Sequence, residues 1–241
     1  MKKTLLTVAF AVQSALWADL YMAGDSTMYT YGPIFRPKTG WGQIMPEMVK
    51  PGIKVENRAL GGRSSKSFRG EGHWDKIMSQ LKPGDFVIIQ FGHNDGAGGS
   101  VNWYRHANAA VHYPENLRNF MLDVRVKGAI PVLCTPVVVY QMRDGKLVNT
   151  PKHQSYVDAV KRIAKEEKVD LLDLNACALE EMSRDPDPKR FFMFLPPGKY
   201  KNYPDGCNDG VHLSEAGARF YAEAAVRLAK EQNLPIAQIF R

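Results

Sequence analysis

Cysteine is scarce in this chain, with three in 241 residues, at positions 134, 177 and 207. Three thiols cannot all pair with one another and no Cys-x-x-Cys occurs, which excludes a zinc ribbon, a dithiol redox motif and a disulfide-built scaffold. If one bond forms, Cys177 with Cys207 is the expected pair, because Cys134 lies in the apolar run AIPVLCTPV, where a thiol packs as a small hydrophobe. No phosphate-cradling G-x-x-x-x-G-K-[ST] loop is present and no G-x-G-x-x-G follows the first apolar run, so the common nucleotide-binding signatures are missing. G-x-S-x-G, the usual nucleophile elbow, is absent too. His73, His93, His106, His112 and His153 are scattered without ligand spacing, so no metal and no other cofactor is expected.

A basic tract is also lacking, although the formal net charge is +7. The segment KRIAKEEK alternates in sign, and no helix carries a basic stripe with interleaved aromatics, so nucleic acid is not an expected partner. The surplus reads as a solvated surface that favours acidic substrates. No apolar run is long enough for a membrane span, which needs about 20 residues. The longest, within MKKTLLTVAFAVQSALWADLYM, is broken by Gln13 and Ser14 and preceded by Lys2 and Lys3. That pattern is read as a signal peptide over residues 1–18, cleaved after Ala18 despite Leu16 fitting the site poorly, with a buried first helix as the alternative. The mature protein is expected to be exported, periplasmic or secreted, without stable membrane insertion, and monomeric.

What the chain does contain is alternation. Five short apolar runs recur, DLYMAG (19–24), KVENRAL (54–60), DFVIIQFG (85–92), AIPVLCTPV (129–137) and VDLLDLNA (169–176). The third and fourth are nearly continuous, as strands covered on both faces of a parallel sheet require. Between them, Trp74, Ile77, Met78 and Leu81 fall at helical spacing, as do Leu117, Phe120, Met121 and Val124, and then Val157, Val160, Ile163 and Ala164. Gly128 is a stop for the second of these helices, and Ser214 is a candidate N-cap for a last one. One α/β domain over residues 19–241 follows, with no repeat or linker. Two stretches rich in Gly, Pro and aromatics, 96–114 and 186–206, are long loops of the kind that often carry function.

Ligands of open parallel sheets bind beyond the C-terminal strand ends. After the first run stands Gly24-Asp25-Ser26-Thr27, after the second GGRSS (61–65), after the third GHND (92–95), and before the last helix DGVH (209–212). Singly, each has a bland reading as a turn, an anion nest, a helix cap or a loop. Together they supply one reaction. Ser26 is the candidate nucleophile, His212 the base that takes its proton, and Asp209 the carboxylate that orients the imidazole. The backbone N–H groups of Ser26 and Gly62 and the Asn94 amide are candidate oxyanion donors. Asp25, Trp41, Arg63 and Trp103, beside these blocks, are candidate sugar contacts, since exposed aromatics near strand ends suit stacking on a pyranose.

This order of blocks resembles the SGNH (GDSL-like) hydrolase superfamily. The segments AGDSTM, GWGQIMPEM, VENRALGGRSSKSF, GHWDKIMSQLKPGDFVIIQFGHND, GAIPVLCTP and DGVHLSEAGA are more specifically similar to rhamnogalacturonan acetylesterases, over nearly all of residues 19–230. The resemblance implies a flavodoxin-like three-layer α/β/α sandwich with a five-stranded parallel sheet. It also implies a cofactor-free serine esterase that removes acetyl groups from acetylated pectic polysaccharide, with Ser26, Asp209 and His212 as triad and Gly62 and Asn94 completing the oxyanion hole. Where such proteins carry an arginine-containing stretch after VLCTPV, this chain reads VVYQMRDG, and its 96–114 loop is individual. Both departures fall where selectivity is set, so acetylated xylan or smaller acetylated sugars stand as alternative substrates. A non-catalytic carbohydrate-binding protein is the alternative from another class, although a pure binder needs no aligned base.

Overall fold

The computed structural model describes residues 18–97 and 102–241, so the expected signal segment lies outside the described residues except for Ala18. The chain runs from strand β1 (Leu20–Gly24) to β2 (Val55–Asn57), then through helices α1 (Ser65–Gly70) and α2 (His73–Met78) to β3 (Phe86–Gln90). Helix α3 (His112–Val126), β4 (Ile130–Cys134), a small hairpin of β5 (Met142–Arg143) and β6 (Lys146–Leu147), and α4 (Pro151–Glu166) follow. The chain continues with β7 (Asp170–Leu172), α5 (Leu174–Glu181), β8 (Phe192–Leu195), β9 (Cys207–Leu213) and α6 (Glu215–Glu231). Strands β2-β1-β3-β4-β7, in that order, form the five-stranded sheet, and every pairing in it is parallel.

The strand period of two sorts side chains onto opposite faces. Leu20 and Met22 of β1, with Phe86 and Ile88 of β3, face α5 and α6, where Ala178, Ala218 and Tyr221 meet them. Tyr21 and Ala23, with Val87 and Ile89, face the other layer, α1 to α4, through Phe68, Trp74, Phe120 and Tyr156. The expected three-layer sandwich is therefore the observed one, and full burial of each large apolar side chain contributes about 1.5–3 kcal/mol. Ser214 caps α6 by accepting from the Gly217 N–H at 3.2 Å, and Gly128 ends the turn after α3 with φ +70°.

Three expectations need correction. The run 169–176 is not one strand: β7 ends at Leu172, and Asp173 accepts from the Ala176 N–H to cap α5. Asp209 to His212 do not lie in a loop; they sit on β9, which pairs antiparallel with β8 across a register shift near Met193. No disulfide links Cys177 to Cys207. All three thiols are free, and Cys177 instead contacts Glu181 at 3.4 Å and accepts from Arg227 at 3.3 Å.

Candidate active site

Sheet order reverses direction at β1 and β3, so the chain leaves these neighbours toward opposite sides and opens a crevice beyond their C-terminal ends. The turn after β1 lies in that crevice. Gly24 leaves little room for a side chain, because a Cβ there would stand 2.8 Å from Met28 Sδ and 3.0 Å from the Gln90 backbone carbonyl. Asp25 Oδ1 then accepts from the Thr27 N–H at 2.9 Å and from the Thr27 hydroxyl at 2.8 Å, closing an Asx-turn. The Gln90 side-chain amide donates through Nε2 to Thr27 Oγ1 at 3.1 Å while its Oε1 accepts from the Trp41 indole at 2.6 Å. Tyr31 fixes the turn from outside, donating its hydroxyl to the Ser26 carbonyl at 2.9 Å.

His212 arrives from β9. Its Nε2 lies 3.0 Å from Ser26 Oγ and its Nδ1 lies 2.6 Å from Asp209 Oδ2. Asp209 Oδ1 accepts from the N–H groups of Val211 at 2.8 Å and His212 at 3.0 Å, so the carboxylate folds back along its own strand. Burial works to raise the Asp209 pKa, but the hydrogen bonds from His212 and Val211 and the charge of His212 outweigh it, holding the carboxyl well below the usual range. An ionised carboxylate only accepts, so Nδ1 carries a hydrogen and Nε2 is left to accept from the serine. Gly210 lets this strand approach Val139-side residues closely: a Cβ there would sit 2.9 Å from that of Tyr140, whose N–H donates to the Gly210 carbonyl at 2.7 Å.

Opposite the histidine, Gly62 takes φ +78° in a turn closed by the Arg63 N–H on the Leu60 carbonyl at 3.3 Å. Asn94 donates to the Arg63 carbonyl at 3.1 Å, which ties the loop after β3 to the loop after β2. Asp95 strengthens that tie. Its Oδ1 accepts from the Ser65 N–H at 3.0 Å and hydroxyl at 2.5 Å, and its Oδ2 from the Gly92 N–H at 3.0 Å. Even so, complete burial, with the Asp25 charge nearby, pushes the Asp95 carboxyl up to about 7.

Ser26, Tyr31, Gly62, His93, Asn94 and His212 line one cavity of about 560 Å³. The candidate sugar contacts divide around it. Trp41 is fully buried and bonded to Gln90, and Asp25 is fully buried beneath the turn, so neither has surface to offer a ligand and both expectations are corrected. Asp25 Oδ2 stands 3.3 Å from His93 Nδ1; burial alone would raise this carboxyl, but His93 and the Thr27 hydrogen bonds hold it below its ordinary value. His93 in turn packs on His153, their ring centroids 5.1 Å apart. Burial, together with His93, pushes the His153 pKa down to about 3. Arg63 spends its guanidinium on Glu71 at 2.9 Å and on the Gly61 carbonyl at 2.9 Å, while Trp103 is 70% exposed with Lys66 Nζ 5.5 Å from its ring. Sequence reading missed Tyr31, Asp95 and Arg105. Asp95 stands within the GHND block itself and Tyr31 five residues after Ser26, but Arg105 lies ten residues beyond the nearest block, and position alone says nothing of where a side chain points. Among the described residues, no group of three or more His, Cys, Asp or Glu is placed to hold a metal ion.

The model of the GDSL-like Lipase/Acylhydrolase family matches residues 22–220. A probable rhamnogalacturonan acetylesterase of Bacillus subtilis, YesY, is 33% identical over 219 residues, covering 91% of this chain and 95% of its own length. The rhamnogalacturonan acetylesterase RhgT of the same organism is 35% identical over 221 residues, covering 90% and 92%. The crystal structure of Bacillus subtilis YxiM superposes with a TM-score of 0.75 at 26% identity, over 91% of this chain and 58% of that one. This chain thus spans little more than half of YxiM but nearly all of the two acetylesterases. The family model and both acetylesterases cover most of the chain, and the chain belongs to the GDSL-like lipase/acylhydrolase family of hydrolases.

Proposed function

We propose that this protein is a serine esterase that removes O-acetyl groups from plant cell-wall polysaccharide, in particular from the rhamnogalacturonan backbone of pectin. The observation that carries the reading is the continuous chain from Asp209 to His212 at 2.6 Å and from His212 to Ser26 at 3.0 Å. Ser26 Oγ attacks the acetyl carbonyl carbon as its proton passes to His212 Nε2, and Asp209 holds the imidazolium that forms. Negative charge gathers on the former carbonyl oxygen, which the N–H groups of Ser26 and Gly62 and the Asn94 amide receive. One Asn94 N–H is already committed to the Arg63 carbonyl, so its other N–H is the available donor. Collapse of this intermediate breaks the bond to the sugar oxygen, which leaves with the proton from His212. Water, deprotonated by the same imidazole, then attacks the acetyl-enzyme and releases acetate. Arg63 and Trp103 are the proposed sugar contacts.

The names of the two relatives support the pectic substrate, and the Lys2–Lys3 and apolar pattern supports export after loss of residues 1–18. Acetate release from acetylated rhamnogalacturonan and from acetylated xylan, measured in parallel with Ser26→Ala as control, tests the reading. Release mainly from rhamnogalacturonan, abolished in the variant, is the expected result. Release mainly from xylan keeps the mechanism and discards the substrate; unchanged turnover by a folded Ser26→Ala variant discards the mechanism.

A further inference from the structure

The guanidinium of Arg105 lies behind the oxyanion side of the cleft. Its Nη1 donates to Asn94 Oδ1 at 3.3 Å and to the Gly62 carbonyl at 3.5 Å, and its Nη2 donates to Asn102 Oδ1 at 2.7 Å. All three acceptors are uncharged. Its Nε–H is buried without a partner, and among the described residues Arg105 forms no ion pair, whereas Arg63 nearby is matched by Glu71. A partly buried guanidinium ordinarily recovers its desolvation cost from a carboxylate. Here the positive charge, with only the Tyr104 ring 5.9 Å away besides these neutral acceptors, has no carboxylate partner among the described residues and touches two of the three residues assigned to the developing oxyanion.

The contacts also settle the orientation of Asn94. A side-chain amide can be turned so that its oxygen and nitrogen exchange places. Arg105 can only donate and the Arg63 carbonyl can only accept, so a single orientation satisfies both, with Oδ1 toward Arg105 and Nδ2 toward the Arg63 carbonyl and the cleft. The reversed amide would set N–H against N–H at Arg105 and oxygen against oxygen at Arg63.

We propose that Arg105 is a positioning residue of the oxyanion hole, locking the Asn94 amide in its donating orientation and placing an unpaired positive charge behind the hydrogen bonds that receive the carbonyl oxygen. This rests on the ester-hydrolase reading above. The substrate ester is neutral and gains little from the charge, whereas the tetrahedral intermediate carries a full negative charge in a partly dehydrated cleft and gains more. The effect therefore belongs to kcat. Loss of a direct oxyanion donor costs about 10²–10³ in turnover, and a residue acting through such a donor should cost about ten- to a hundredfold.

Steady-state hydrolysis of 4-nitrophenyl acetate by the full chain and by Arg105→Gln, Arg105→Lys, Asn94→Ala and the Arg105→Gln/Asn94→Ala double variant tests this, with Ser26→Ala as control. Arg105→Gln should lower kcat by about ten- to a hundredfold with KM within about twofold, and Arg105→Lys, which keeps the charge, should restore part of it. In the Asn94→Ala background the same Arg105→Gln change should cost several-fold less than in the parent, because only the charge beside the Gly62 carbonyl is then lost. Inhibition by a small alkylboronic acid, which mimics the tetrahedral adduct, should weaken in step with kcat, while inhibition by acetate stays. A parental kcat in Arg105→Gln, a loss confined to KM, or an equal loss in both backgrounds would each overturn the proposal. Those outcomes leave Ser26→Ala inactive; persistence of hydrolysis in Ser26→Ala would instead overturn the esterase reading itself.

Discussion

Asp95 and Asp209 show at the scale of single residues how partners decide the sign of a pH effect. Asp95 is fully buried and its carboxyl is held up at about 7, so between its ordinary value of 3.8 and about 7 the folded protein binds more protons than the unfolded chain. Its contribution to stability is complete below pH 4 or so and is lost as pH rises through about 7. The melting temperature of the parent, relative to Asp95→Asn, should accordingly fall as pH is raised from about 4 to about 8, followed by circular dichroism. A difference that stays constant or grows would contradict this. Asp209 has the opposite sign: its pKa is depressed, so its contribution is present above the ordinary carboxylate range and is lost on acidification. Which residues were legible in the sequence follows the same logic. Ser26, Asp209 and His212 could be read because their chemistry demands particular side chains in a particular order. Trp41 was misread as a sugar contact because its partner, Gln90, is 49 residues away and only the folded chain brings them together.

Among elements, the parallel strands were legible because burial on both faces leaves FVIIQ and IPVLC without polar interruption. Strand β9 was not, because CNDGVHL is mostly polar and half-buried; its strand character comes from pairing with β8 and from Tyr140, neither of which leaves a local pattern. Helix α5 was hidden for a different reason: LNACALEE follows β7 with only Asp173 between, so two elements read as one apolar run. The joint between β8 and α6 is the tightest of these junctions. A Cβ on Gly217 would fall 2.0 Å from the Phe191 carbonyl oxygen, a backbone atom that cannot swing aside. Gly217→Ala should therefore lift the first turn of α6 and cost about 1–3 kcal/mol or more. In a domain of this size that corresponds to a fall of roughly 2–4 °C in melting temperature per kcal/mol, with kcat reduced because β9 leads directly into that turn. An unchanged melting temperature would show that α6 does not need this close approach.

On the scale of the whole molecule, the formal net charge is +7, about +5 without Lys2 and Lys3, and Lys38 and Lys152 line the cleft itself. If the substrate is an acidic pectin, the excess speeds encounter at long range, and salt screens it over a Debye length of about 10 Å at 0.1 M. The value of kcat/KM on acetylated rhamnogalacturonan should fall as sodium chloride is raised from about 0.01 M to about 0.3 M, while that on uncharged 4-nitrophenyl acetate holds. Equal salt responses would remove steering from the account. The division of the site between two sheets bears on the order of synthesis. Every strand of the parallel sheet has left the ribosome once Leu172 has, yet the proposed base rides on β9, in a separate antiparallel pair. For most of its synthesis the growing chain carries its serine with nothing to deprotonate it. On the proposed mechanism, a chain cut short before β9 lacks both Asp209 and His212, so acetyl transfer would begin only once that strand has joined β8.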